Sequence, residues 1–198
     1  KSDRIGIIVF AGESFIQCPL TVDKSVLKSL IDEINIVSKE YDGTAIGMAI
    51  ANATNRLRKS LVKSKVMVLL SDGSNNSGEI DPRTAAELAL QYDIKIYTIG
   101  AGTNQAFTRI PGRGLIKNEI DEETLKFIAN KTGGKFFRAT DIKALESIYN
   151  EIDTLERSEI EVKEYSNYTE IYIWILFPAL TLSFFIEFYK RFFLRSMF

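Results

Sequence analysis

The chain has 198 residues, with 25 basic and 26 acidic side chains and no histidine. The missing histidine excludes Ser-His-Asp and Cys-His catalysis within the chain and His-rich zinc sites, and a single cysteine excludes an internal disulfide or a thiolate cluster. Balanced charge with no basic run gives no nucleic-acid footprint, and the length suits one α/β domain with a small additional element.

In chain order, Arg4 to Phe10 and Ser14 to Leu20 read as a hairpin closed by Ala11-Gly12-Glu13, with Cys18 as a small buried residue in the second strand. The chain opens directly on this strand, and Lys1 is not methionine, as expected of a piece of a longer protein. Asp23 is placed to cap a helix whose apolar side carries Val26, Leu27, Leu30, Ile31 and Ile34. A second helix follows Asp42-Gly43-Thr44, with Ile46, Ile50, Ala53, Leu57 and Leu61 recurring on one face. Val66 to Leu70 are consecutive apolar residues, the pattern of a strand covered on both faces, and they run into Ser71-Asp72-Gly73.

Asp81-Pro82 is an N-cap followed by proline at the first helical position, leading into Ala85 to Tyr92. Ile94 to Ile99 is the next strand, closed by Gly100 and Gly102. Thr103 to Ile120 then reads as a long irregular segment, rich in Pro and Gly, that carries Arg109 and Arg113. Loops of that kind border ligand faces, so the two arginines are candidates for steering an acidic partner, against the simpler reading of a solvated loop. Asp121 caps a further helix that Gly133-Gly134 stops; Lys135 to Arg138 is a short strand; Asp141 opens a helix with Ile142, Leu145, Ile148, Ile152 and Leu155 on its apolar side. Strands and helices alternating in this rhythm predict a doubly wound, mostly parallel sheet.

Ile171 to Ile186 is free of charge, and the surrounding segment predicts a transmembrane helix over residues 170–189. The uncharged run alone covers about 24 Å at 1.5 Å per residue, against a hydrocarbon core of about 30 Å. Lys190, Arg191 and Arg195 follow it, whereas Lys163 stands among glutamates before it, a bias that places the C-terminus in the cytoplasm. The expected organisation is a domain over 1–157, a juxtamembrane linker over 158–169, the membrane helix and a basic tail over 190–198.

Asp72 stands at the carboxyl end of a central strand, where open α/β sheets bind ligands. Thr44 stands at the start of a helix, where free N–H groups gather. A hydroxyl and a carboxylate on one rim are hard oxygen donors of the kind Mg²⁺ or Ca²⁺ takes. The residues alone leave the plainer alternative open: Thr44 a helix cap and Asp72 a turn former.

GTAIG ahead of an amphipathic helix, then VMVLLSDGSNNSGEIDP and IKIYTIGAG, resemble the von Willebrand factor A (VWA) family. The resemblance implies a metal-ion-dependent adhesion site holding Mg²⁺ or a similar divalent cation, with Thr44 at the family's threonine and Asp72 at its second aspartate. The family's Asp-x-Ser-x-Ser motif, and the first strand and helix around it, are missing from this chain, so the expected fold and site are both incomplete at the N-terminus.

A longer similarity, from about Asp3 onward, is carried by VFAGESFIQCPLTVD, GTAIGMAIANATNRL, SDGSNNSGEIDPRTAAELA, EIDEETLKFIANKTGGKFFRATD and EIEVKEY. It is with the membrane-anchored VWA proteins of the bacterial aerotolerance (BatA and BatB) group. That resemblance implies a protein-binding module at the bacterial inner membrane with its domain outside the cytoplasm, in a stress-tolerance or envelope system. It also implies association with other VWA membrane proteins and functional linkage to a MoxR-type AAA+ ATPase. The expectation is a binding module, not an enzyme; the alternatives are a metal-assisted hydrolase using Asp72, for which no nucleophile–base pair is found, or a metal-independent scaffold.

Overall fold

The computed structural model describes residues 3–35, 42–60, 62, 64–102, 107–110, 114–117, 120–165 and 172–193. By contacts the chain divides into a unit of residues 1–154 and a unit of residues 155–198.

The first unit opens with β1 (Ile5–Phe10) and β2 (Ser14–Thr21), the expected antiparallel hairpin. Cys18 is buried, its thiol donating to the Pro19 carbonyl at 3.3 Å. The Asp23 carboxylate accepts the Ser25 and Val26 N–H groups and caps α1 (Lys24–Asp32). The expected apolar face of that helix is only partly used: Leu27 is buried, whereas Val26 and Ile31 stay exposed.

Next come α2 (Ile46–Leu57), β3 (Lys65–Ser71), α3 (Pro82–Gln91) and β4 (Ile94–Ala101), and then α4 (Glu122–Lys131), β7 (Phe136–Ala139) and α5 (Ile142–Tyr165). Leu61, expected on the face of α2, lies outside the described residues. Strands β3, β4 and β7 form a parallel sheet in that order, with Leu69 opposite Thr98 and Ile99 opposite Phe137. One face buries Met67, Leu69, Ile94 and Ile96 against Ile46 and Ile50 of α2, Ala85, Ala86 and Ala89 of α3, and Leu125 and Ile128 of α4. The alanines let α3 approach closely, and burying each large aliphatic contributes about 1.5–3 kcal/mol. Thr132, at the end of α4, accepts the Ile96 N–H at 3.1 Å and ties helix to sheet.

On the other face Tyr97 and Phe137 place their rings 6.3 Å apart. Ile148 and Ile152 of α5 are buried, and Lys135 pairs with Glu151 at 2.6 Å. Strand β3 departs here from the sequence reading. Val68 and Leu70 are 36 % and 39 % exposed, so the strand is covered on one face only. The hairpin β1–β2 is a separate sheet, and no strand of the described residues pairs with the free edge of β3.

The segment expected to be irregular between β4 and α4 holds a second hairpin, β5 (Phe107–Ile110) paired antiparallel with β6 (Gly114–Lys117). Its β-branched and apolar residues flank a Pro-Gly turn signal, which fits a strand pair as well as a loop. Helix α5 runs on through residues where the sequence reading places a linker.

In the second unit, α6 (Tyr172–Phe193) forms where a membrane helix was expected. Among the described residues no helix is long and apolar enough to cross a membrane. The physical reason is that Glu187, Lys190 and Arg191 occupy the last turns of α6, leaving the uncharged run shorter than a bilayer core. Along that run Leu176, Phe177, Leu180, Phe184 and Phe185 are exposed.

Candidate functional site

Strand β3 ends at Ser71, whose buried hydroxyl accepts the Gly73 N–H at 3.4 Å and donates to the Gly73 carbonyl at 3.2 Å. This tight turn holds Asp72 out at the strand end, exposed to solvent. Immediately beyond, Asn75 and Asn76 reach back to the start of α2. The Asn75 Oδ1 accepts the Ile46 N–H at 2.8 Å; the Asn76 Oδ1 accepts the Thr44 N–H at 2.8 Å, and the Asn76 N–H donates to the Thr44 carbonyl at 3.1 Å.

These bonds change the reading of Thr44. The N-cap of α2 is Ala45, which offers no side-chain acceptor, so Thr44 is not the cap. The capping oxygen comes from Asn75, 29 residues away in sequence. The Thr44 hydroxyl instead faces the β3 turn: a Cβ at Gly73 would lie 3.2 Å from Thr44 Oγ1. Gly43, at φ +136°, lets the chain turn into α2, and a Cβ there would strike the Ser77 hydroxyl. Thr44 and Asp72, distant in sequence, thus stand on one rim through the Gly73 turn and the two asparagines. Sequence reasoning missed Asn75, Asn76 and Ser77 as the residues that build this rim. The signal was available in the density of Asn and Ser after Asp72, since such side chains bond backbone groups in turns.

In donor chemistry the rim suits a hard cation: a hydroxyl and an exposed carboxylate that no described residue pairs with or hydrogen-bonds. In number it falls short, because such ions take about six oxygens. Among the described residues no group of three or more acidic, histidine or cysteine side chains is placed to hold a metal ion.

Arg109 lies on β5; Arg113 lies outside the described residues. The base of that hairpin is held by another arginine. Arg138 on β7 donates to the Gly102 carbonyl at 3.0 Å and to Glu122 at 2.8 Å, so it grips the chain on both sides of the hairpin. A hydrogen bond from Lys126, assisted by the charges of Lys126 and Arg138, holds the Glu122 carboxyl below its ordinary range.

Residues 1–151 match the family model of the von Willebrand factor type A domain. An uncharacterized protein of Borreliella burgdorferi is 28 % identical over the whole chain. The chain spans 60 % of that relative's length and about half the length of further curated relatives it matches. Among solved structures, BatB from Bacteroides thetaiotaomicron is 28 % identical with a TM-score of 0.65, covering 79 % of this chain and 81 % of its own. An aerotolerance-related membrane protein from Bacteroides fragilis is 27 % identical with a TM-score of 0.64, covering 78 % of this chain and 81 % of its own.

Proposed function

The chain belongs to the von Willebrand factor type A family, and on that premise we propose that it is a protein-binding module held at a membrane, whose Thr44–Asp72 rim takes part in divalent-cation binding. The observation that carries the reading is the stitched rim itself. Backbone and side-chain bonds from Asn75 and Asn76 fix the approach to α2, and the Thr44 hydroxyl stands against the turn that presents Asp72. A cation bound there would supply a positive centre for a partner's carboxylate. Thr44 and Asp72 would hold it as neutral and anionic oxygen donors, Mg²⁺ or a similar ion being the suitable size and hardness. Further oxygens must come from water or from another segment. Binding rather than catalysis fits this chain: it has no histidine, and the rim has no nucleophile beside a base.

The likeness to BatB and to the Bacteroides fragilis membrane protein supports a place in a bacterial aerotolerance or envelope system. In this reading α6 seats the chain in the bacterial inner membrane, with Lys190 and Arg191 at its cytoplasmic end and the domain outside. The partners are other VWA membrane proteins, with a MoxR-type AAA+ ATPase functionally linked. The test is co-purification of the full chain from bacterial membranes, with and without Mg²⁺, and with Asp72→Ala. A partner released by chelation and lost with Asp72→Ala supports the reading; a partner retained in both removes the cation from it.

A further inference from the structure

The Thr44–Asp72 rim stands where the strands end; basic side chains gather at the other pole, where the strands begin. Arg4, ahead of β1, donates to the Ser60 hydroxyl beyond α2 at 2.9 Å. Arg58, at the end of α2, donates to the Asn55 side-chain oxygen at 3.0 Å and to the Tyr92 hydroxyl at 3.5 Å, with its guanidinium 5.8 Å from the centre of the Tyr92 ring. Lys65, the first residue of β3, donates to the Tyr92 carbonyl at 3.1 Å. Arg56 in the last turn of α2 and Lys59 just beyond it are exposed.

None of these cations meets a carboxylate among the described residues. Elsewhere in the domain Arg83, Lys126, Lys131, Lys135 and Arg138 each pair with a glutamate. Asp3, Asp23 and Asp93 stand at the same end, Asp23 occupied in capping α1, and leave positive charge in excess. A helix dipole favours cations at its carboxyl end, which accounts for Arg56 and Arg58 but not for Arg4 and Lys65, brought in by other elements. Like charges gathered on one surface repel one another and are relieved by an anionic partner.

Helix α5 shows which way the chain leaves this domain. It starts after the carboxyl end of β7, and Lys135, just ahead of β7, pairs with Glu151 late in the helix. So α5 runs back toward the beginnings of the strands, and the unit of residues 1–154 ends on the side of the basic pole. The next helix is α6, read above as seated in the membrane. We infer that the basic pole docks on the anionic phospholipid headgroups of that membrane, which rests on the same reading of α6. Guanidinium and ammonium groups bond phosphate oxygens, and basic residues within a Debye length of an anionic surface add to the attraction. Docked in this way, the domain turns its Thr44–Asp72 rim away from the bilayer and toward a protein partner.

The test places the full chain in nanodiscs of phosphatidylcholine alone or with phosphatidylglycerol, and follows acylation of single lysines by a water-soluble ester with mass spectrometry. Lys59 is the reporter; Lys143, exposed near the start of α5 at the opposite pole, is the control. The expected result is Lys59 labelling severalfold slower in the phosphatidylglycerol discs and restored by high salt, with Lys143 labelled equally in both. Trp174 emission, read on the same samples, reports whether α6 has entered the disc. A blue-shifted Trp174 with Lys59 labelled alike in the two discs leaves α6 in the membrane and overturns the docking surface. Emission unchanged by either disc removes the membrane reading, and the docking with it. Slow Lys59 labelling in both discs that deepens as protein concentration rises would assign the pole to an acidic protein surface instead, and also overturns the inference.

Discussion

Asn75 caps α2 from the far side of the rim: its side-chain oxygen accepts the Ile46 N–H at 2.8 Å. The helix has no side-chain acceptor of its own at Ala45, so its start and the loop after β3 are one structural unit. Asn75→Ala is expected to cost about 1 kcal/mol, as the loss of an N-cap does, while Asn75→Asp keeps an acceptor oxygen. The check is hydrogen exchange at the first-turn amides of α2, which accelerate in Asn75→Ala and not in Asn75→Asp. Unchanged exchange in Asn75→Ala would detach the cap from the loop.

Gly73 leaves room for the Thr44 hydroxyl. Gly73→Ala is expected to push Thr44 Oγ1 aside by a few tenths of an ångström and to weaken divalent-ion binding while leaving the melting of the parallel sheet close to that of the parent. A Mg²⁺ titration of the full chain, read beside its circular dichroism, tests this. Equal affinity in the parent and Gly73→Ala would place the ion elsewhere.

The Arg138 clamp predicts a pH dependence. Interactions that lower the Glu122 pKa below its ordinary value near 4.5 stabilise the folded state. That contribution is fully present above the ordinary value and is lost as pH falls through the depressed folded value. The Gly102 amide, which donates to the Ala139 carbonyl at 2.8 Å beside the clamp, is the reporter. Its exchange, corrected for the intrinsic rate, is expected to rise on acidification below pH 4.5 in the parent and to be raised already at pH 7 in Glu122→Gln. A pH profile identical in the two proteins would show that Glu122 does not hold the hairpin base.

Trp174 is the chain's single tryptophan and stands on α6, 83 % exposed. Its fluorescence reports that helix alone. Adding vesicles with anionic lipid to the full chain in mild detergent is expected to shift the emission to the blue and to protect it from a water-soluble quencher. Emission that ignores lipid would remove α6 from the membrane.

Most elements were legible because their signals are local. Asp23, Asp81 and Asp121 each cap the helix that the sequence assigned to them, and Pro82 starts α3. What the sequence hid was set by distant partners. Thr44 has the chemistry of a cap, but the side-chain oxygen that satisfies α2 belongs to Asn75, and only the packing of β3 beside α2 brings the two together. The five apolar residues from Val66 read as buried on both faces, yet Val68 and Leu70 are exposed, because hydrophobicity states what a strand can cover and not whether a cover is present. The Arg109 segment read as loop from its Pro and Gly content, although Phe107–Ile110 and Gly114–Lys117 pair as the β5–β6 hairpin.

The central claim is that Thr44 and Asp72 together hold a divalent cation, and Mn²⁺ binding to the full chain measured by electron paramagnetic resonance tests it most directly. The account predicts weak binding, since two side-chain oxygens leave most of the coordination shell to water. It also predicts that Mg²⁺ competes for the site, and that Asp72→Ala and Thr44→Val each abolish binding. Binding that survives both substitutions would contradict the account.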